Sequence, residues 1–244
     1  GAGAVAIADT DVKITDDGAT INSATITLTN AQVGDVLTVG ALPAGITAVV
    51  AGNTVSLTGG SSLANYQAAI RAISFSNPLG SPDLTPRVIN VVVSDGTNSN
   101  TAVSTISINR APTLDLDGDN STASGSNYAV TYTDGGGAVP LADTDIGIAD
   151  ADGTLVGASV TLTNPKAGDV LTVGTLPAGI TAIVAGNTVS LSGTASPADY
   201  QTAIRAISFS NSSSTPDTSP RTIEIAVNDG AAVSNVATAT VSVV

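Results

Sequence analysis

The chain has 244 residues, with seven Lys and Arg against 20 Asp and Glu, a net charge of −13, and no Cys, His, Met or Trp. Without Cys or His there is no disulfide, no thiolate metal site and no Ser–His or Cys–His dyad for nucleophilic catalysis. The negative charge argues against the basic surface that nucleic acid requires, and no apolar run reaches the roughly 18 residues of a membrane span. We therefore expect no nucleic-acid partner, no membrane insertion, and a core of Val, Ile, Leu and Ala.

β-Branched residues that alternate with polar residues predict strands along the whole chain. These segments span residues 24–29, 88–93, 104–108, 158–163, 222–227 and 239–243. Gly-Asn pairs at 52–53 and 186–187 predict the bends of short hairpins. Ser196 and Pro197 predict an N-capped helical segment that continues through Ile204. Many short strands separated by turn residues predict an all-β fold of two tandem antiparallel β-sandwiches, each with one short helical turn.

The chain contains an internal repeat. Residues 34–57 and 168–191 are identical at 22 of 24 positions when offset by 134, and residues 66–77 and 200–211 align at the same offset. Gly1 aligns with Gly135, so nothing in the first copy matches residues 111–134, a stretch that holds one or two predicted strands. We therefore predict a first domain at 1–109 that lacks its first strand and a second domain at 110–244. The alternatives are that the sequence was cut within a repeat, or that the structural unit begins at a different point of the repeat. Without an initiator Met, the chain is expected to be part of a longer array.

Three motifs resemble those of cadherin repeats. They are the Asp-Ala-Asp-Gly of 150–153, the Asn-Asp-Gly of 228–230 and the Asn-Arg-Ala-Pro of 109–112. Together with the repeated segments, they resemble more closely the cadherin-like, Ig-like tandem repeats of very large RTX-type adhesins, surface proteins that bacteria export by type I secretion. Two departures are Arg110, where cadherin linkers carry Asp, and a shift of one residue in the second Asp of the motif at 16–18.

The resemblance implies two Ig-like or cadherin-like sandwiches that serve as a Ca²⁺-stiffened extender of an adhesin, outside the cell or on the bacterial surface. Such a protein would take part in cell adhesion and biofilm formation, and its partners would be neighbouring repeats of the same chain. It would not be an enzyme.

Aspartates recur in groups that could supply the hard oxygen ligands of Ca²⁺. In the second copy the group is Asp143, Asp145, Asp150 and Asp152, with Asp229 closing the cage from a neighbouring loop. In the first copy the group is Asp9, Asp11, Asp16 and Asp17, with Asp95 in the closing position. A third group is Asp115, Asp117 and Asp119, and the linker adds Asn109 as a candidate ligand. The alternative interpretation is that these aspartates are ordinary turn residues exposed to solvent.

Repeated aromatic and basic residues are the other candidates. Tyr66 and Tyr200 predict packed core positions, with a carbohydrate platform as the alternative. Arg87 and Arg221 are predicted to form surface ion pairs with Asp83 and Asp217, which would contribute little to stability.

The residue pattern leaves three functions open. The first is a structural spacer of a secreted adhesin. The second is a filament subunit in which identical copies assemble by strand complementation, because an open strand edge invites strand addition. The third is a carbohydrate- or ice-binding module. Catalysis lacks a general base, and Lys13 and Lys166 do not occupy equivalent positions.

Overall fold

The computed structural model describes residues 3–151 and 153–244. Contacts within the chain define two compact units, unit 1 at Gly1–Ile108 and unit 2 at Asn109–Val244. Strands dominate both units, and each unit packs its sheets around its own cluster of buried aliphatic and aromatic side chains. The predicted all-β sandwich fold is therefore confirmed. No helix in the described part of the chain is both long and apolar enough to span a membrane.

The described residues of unit 1 form eight strands and one helix. They are β1 (Val5–Ala6), β2 (Thr20–Leu28), β3 (Val36–Val39), β4 (Thr47–Ala51), β5 (Thr54–Ser62), α1 (Leu63–Arg71), β6 (Ile73–Ser76), β7 (Arg87–Ser94) and β8 (Ala102–Ile106). One sheet has the order β4-β5-β2-β7-β8, and the other has the order β1-β6-β3. All of these pairs are antiparallel.

Unit 2 repeats this plan and adds strands at its beginning. Its elements are β9 (Thr113–Asp115), β10 (Tyr128–Tyr132), β11 (Val139–Pro140), β12 (Gly147–Ala149), β13 (Leu155–Leu162), β14 (Asp169–Val173), β15 (Thr181–Ala185), β16 (Thr188–Ala195), α2 (Pro197–Arg205), β17 (Ile207–Asn211), β18 (Arg221–Asn228) and β19 (Ala237–Val243). The sheets have the orders β10-β19-β18-β13-β16-β15, β11-β17-β14 and β12-β9. One pairing departs from the antiparallel prediction, because β10 lies parallel to β19.

The local signals explain where the hairpins and helices form. Gly52 has a φ of 57° in the two-residue turn between β4 and β5, a backbone conformation that glycine adopts without steric cost. Ser196 caps α2 by accepting the backbone N–H of Asp199, whose carboxylate accepts the N–H of Ser196 in return. Both helices are nine residues long, so the predicted short helical turn becomes two and a half turns.

A tyrosine fixes each helix to a bulged strand. The Tyr66 side chain of α1 is fully buried and its hydroxyl donates to the carbonyl of Gly59 at 2.8 Å. The equivalent Tyr200 donates to Gly193 at 2.7 Å. These tyrosines are core residues, as the sequence predicts, and they form no exposed platform for a sugar.

Candidate metal-binding site

Four carboxylates converge in unit 2 where β9 ends and β12 begins. Because β9 and β12 pair antiparallel, the residues that follow β9 lie beside those that precede β12. Asp117 and Asp119 follow β9, Asp143 and Asp145 precede β12, and each offers an oxygen within 4.8 Å of the others. This cluster, called the unit 2 cluster below, combines members of two groups that the sequence analysis treats separately.

Asp117 is the buried anchor of the unit 2 cluster. One carboxylate oxygen accepts the backbone N–H of Thr122 at 2.7 Å, its hydroxyl at 2.6 Å and the N–H of Ala123 at 3.0 Å. The other accepts the N–H and the hydroxyl of Ser121 at 3.0 and 3.2 Å. The hydrogen bonds from Thr122 and its neighbours hold the pKa of Asp117 well below its ordinary value, although burial acts in the opposite direction. Asp117 therefore stays ionised and organises the loop at 117–123.

The other three carboxylates of the unit 2 cluster lie at the surface or half-buried. The oxygens of Asp145 accept the backbone N–H groups of Gly118 at 3.2 Å and Asp119 at 2.7 Å. One oxygen of Asp143 accepts the hydroxyl of Ser121 at 3.1 Å. These contacts hold the carboxylates close together against their mutual repulsion. Several hard anionic oxygens at the protein surface match the donor set of Ca²⁺, so the residues present fit this ion.

A second cluster lies in unit 1, and is called the unit 1 cluster below. Asp16, Asp17 and Asp95 are exposed, and each offers an oxygen within 4.8 Å of the others. They line an open cavity of about 450 Å³, together with Asn98 and Asn100. One oxygen of Asp95 accepts the backbone N–H of Thr97 at 2.9 Å. This cluster joins three of the residues that the sequence places in one group.

The remaining candidate ligands lie elsewhere or are not described. Asp9 and Asp11 belong to neither cluster among the described residues. Asp115 accepts the N–H of Asp117. Asp150 is half-buried outside the unit 2 cluster, and Asp152 lies outside the described residues.

Asp229, the predicted closing ligand, lies in a turn after β18. One of its oxygens accepts the N–H groups of Ala231 and Ala232 at 2.7 and 2.6 Å. The other accepts the side-chain amide of Asn109 at 2.9 Å. Asn109 thus contacts this turn as a hydrogen-bond donor, and the pair ties the beginning of unit 2 to the loop that follows β18.

The predicted pairs of Arg87 with Asp83 and of Arg221 with Asp217 form, at 3.7 and 3.9 Å. Both arginines are buried, however, and their principal partners are other aspartates. Arg87 is fully buried, and its guanidinium donates to both oxygens of the buried Asp35 at 2.6 and 3.2 Å. Arg221 donates to Asp169 at 2.7 and 3.2 Å. The exposed Asp83 is only a secondary partner of Arg87, at 3.7 Å. Neither buried aspartate was predicted as a partner of these arginines, although both lie in an identical Gly-Asp-Val-Leu-Thr-Val segment of the two copies, which was an available signal.

These buried and hydrogen-bonded carboxylates should make the protein sensitive to acid. Burial raises the pKa of Asp35 and Asp229, but the hydrogen bonds that each accepts outweigh burial and hold the pKa below its ordinary value. The pKa of Asp117 is lowered as well. A lowered pKa in the folded state contributes stability that is present above the unfolded pKa of about 3.9 and is lost as the pH falls through the folded value.

We therefore expect the urea midpoint to stay nearly constant from pH 7 to about pH 5 and to fall below about pH 4. Circular dichroism at constant high salt would measure it, because salt screens the change in net charge. A midpoint that rises as the pH falls below 4 would contradict the assignment of these carboxylates.

Comparison with known proteins assigns this chain to no family. No family model matches the chain, and no curated protein matches it. Among solved structures, a chimeric titin Z1Z2 fragment matches with a TM-score of 0.22 and 9% identity, over 92% of this chain and 82% of that one. The C-terminal domain of the Streptococcus agalactiae AgI/II polypeptide BspA matches with a TM-score of 0.26 and 11% identity, over 89% and 84%. At these TM-scores the likeness carries no argument about fold or function.

Proposed function

We propose that this chain is a pair of structural repeats that act as a spacer in a secreted bacterial surface protein. The observation that carries the proposal is the repetition of one sandwich, with the same buried Arg–Asp pair and the same buried tyrosine, at an offset of 134 residues. Each repeat builds its own core, so units can be joined in a series. The absence of His and Cys leaves no conventional base or thiol for catalysis and agrees with a structural role.

We further propose that Ca²⁺ binds the unit 2 cluster and the unit 1 cluster. In both, close carboxylates repel one another, and a divalent cation would relieve this repulsion and supply stability to the folded state. Extracellular fluids provide Ca²⁺ and do not reduce proteins, which suits an acidic chain without Cys. Recovery of the parent protein from the cytoplasm would contradict this location.

Calorimetric melting in millimolar Ca²⁺ and again in excess chelator tests the proposal. A ligand that binds only the folded state stabilises it by about 2.7 kcal/mol when its concentration is 100 times its Kd. We therefore expect the melting temperature to rise by several degrees in Ca²⁺. Identical melting temperatures in Ca²⁺ and in chelator would contradict the proposal and indicate that these aspartates are ordinary turn residues.

Asp119→Asn is the informative variant for the unit 2 cluster. Asp119 accepts the N–H of Ser121 at 3.0 Å, and an Asn side chain can accept the same hydrogen bond, so the variant removes charge while preserving the turn. Asp134→Asn is the matched control, since it removes one exposed carboxylate away from both clusters. The Ca²⁺-dependent shift should shrink in the first variant and persist in the second.

The other candidate functions have less support. All six aromatic residues are buried, so none is available on the surface to stack against a sugar. They are Tyr66, Phe75, Tyr128, Tyr132, Tyr200 and Phe209.

A further inference from the structure

One buried tyrosine of unit 2 lacks the hydrogen bond that the other three tyrosines make. The hydroxyls of Tyr66, Tyr132 and Tyr200 each donate to a backbone carbonyl. Tyr128, the first residue of β10, is only 7% exposed, and its hydroxyl has no hydrogen-bond partner among the described residues. A buried tyrosine hydroxyl normally has a partner, so the one at Tyr128 indicates a bound group beside it.

The hydroxyl of Tyr128 lies near the unit 2 cluster. Burial raises the pKa of Tyr128, and the negative charges of Asp143 and Asp117 raise it further. A carboxylate has this effect only at short range, because water and salt screen more distant charges. The cluster therefore has a neutral oxygen beside its carboxylates, and hard cations such as Ca²⁺ take neutral oxygens together with charged ones.

A chain of hydrogen bonds joins the unit 2 cluster to β10. The hydroxyl of Thr122 donates to Asp117 at 2.6 Å and accepts the backbone N–H of Ala129 at 3.1 Å. Just before β10, the side chain of Asn127 accepts the backbone N–H of Thr238 in β19 at 3.0 Å. The loop that carries half of the cluster is therefore coupled to β10 and to its pairing with β19.

The other half of the unit 2 cluster is attached to α2. Asp143 and Asp145 flank Thr144, whose carbonyl accepts a hydrogen bond from the guanidinium of Arg205 at 3.1 Å. Arg205 is the last residue of α2. The remaining two carboxylates of the cluster belong to the loop that leads to β10. A cation that binds carboxylates from both halves would tie this loop, and β10 with it, to the helix.

We propose that a divalent cation bound at the unit 2 cluster faces the Tyr128 hydroxyl and holds β10 against β19. Asp119, Asp143 and Asp145 supply the carboxylate oxygens, and Tyr128 supplies the neutral oxygen. Asp117 positions the loop, since both of its oxygens already accept hydrogen bonds from it. The inference rests on the proposed binding of Ca²⁺ and adds a ligand to the site and a consequence for the sheet.

Hydrogen exchange tests whether the ion holds β10. If β10 leaves the sheet only after the ion dissociates, opening becomes about 100-fold rarer when Ca²⁺ is present at 100 times its Kd. We expect exchange at residues 129–132 and 239–243 to slow by about this factor relative to excess chelator. Exchange at residues 181–185, in the strand at the opposite edge of the same sheet, should change little. In Asp119→Asn the slowing should shrink.

Tyr128→Phe tests the neutral oxygen, because it removes the hydroxyl and leaves the ring in the core. The Ca²⁺ concentration needed for a given slowing at 239–243 should rise about tenfold, comparable to the loss of one hydrogen bond to a charged group. Tb³⁺, a hard cation that can replace Ca²⁺, gives an independent signal. The chain has no Trp, so tyrosine must sensitise Tb³⁺ emission, and Tyr128→Phe should lose most of it.

Tyr132→Phe is the matched control on the same strand. Its hydroxyl donates to the carbonyl of Asn211 at 2.9 Å. The variant should speed exchange of β10 by the same factor in Ca²⁺ and in chelator, and should leave the required Ca²⁺ concentration unchanged.

The possible outcomes separate this inference from the proposed function. A Ca²⁺-dependent melting shift without slower exchange at 239–243 would overturn the hold on β10 and leave Ca²⁺ binding standing. Equal Ca²⁺ requirements in Tyr128→Phe and the parent chain would overturn the assignment of Tyr128 to the site. Absence of both a melting shift and Tb³⁺ emission would overturn the inference together with the proposed binding of Ca²⁺.

Discussion

Asp35→Asn is expected to destabilise unit 1 by about 3–5 kcal/mol, which is the usual cost of removing one partner from a buried ion pair. The carboxylate of Asp35 has no exposed surface and receives two hydrogen bonds from the equally buried guanidinium of Arg87. It also accepts the side-chain amide of Asn77 at 2.8 Å. An uncharged Asn would leave the buried guanidinium with only the exposed carboxylate of Asp83, at 3.7 Å, as a counter-charge, and the penalty comes mainly from that loss.

Asp83→Asn is the matched control, because Asp83 contacts the same arginine from the surface. Its side chain is 51% exposed and lies 3.7 Å from the Arg87 guanidinium, so its loss should cost about 1 kcal/mol or less. Native-state hydrogen exchange can assign each effect to its unit, since unit 2 serves as an internal reference in the same chain. Equal losses of stability in Asp35→Asn and Asp83→Asn would contradict the assignment of Asp35 as the principal partner of Arg87.

Gly193→Ala is expected to cost unit 2 at least about 3 kcal/mol. Gly193 lies in a bulge of β16 with a φ of 137°, a conformation that side chains rarely adopt. A Cβ atom there would lie 1.9 Å from the carbonyl oxygen of Gly179, so the backbone would have to move. The displacement would also disturb the carbonyl of Gly193, which accepts the hydroxyl of Tyr200.

Gly186→Ala separates backbone strain from steric overlap in the same unit. Gly186 has a φ of 59°, but nothing lies within 4 Å of a Cβ built there. We expect a cost of about 1 kcal/mol, the ordinary penalty of the left-handed conformation. Denaturant unfolding followed by circular dichroism would compare the two variants, and similar midpoints would argue against the predicted clash.

The local features of the fold could be predicted because their causes lie within a few residues. Alternation of β-branched residues located the main strands, Gly52-Asn53 located a hairpin, and Ser196 located the start of α2. The near-identity of the copies also indicated a repeated fold. Scarcity of aromatic residues correctly favoured a core position for Tyr66.

The long-range pairings could not be predicted because residue spacing carries no information about them. Asp35 and Arg87 are 52 positions apart, and the nearby Asp83 offered a plausible but wrong principal partner. The unit 2 cluster forms because β9 pairs with β12. Alignment of the two copies cannot reveal this pairing. The parallel pairing of β10 with β19 could not be predicted for the same reason.

The parallel pair formed by β10 and β19 also determines how unit 2 would respond to mechanical force. When the N-terminal side of β10 and the C-terminal side of β19 are pulled apart, the two strands slide along each other in opposite directions. All five residue pairs from Tyr128 to Tyr132 then share the load at once, rather than separating one after another.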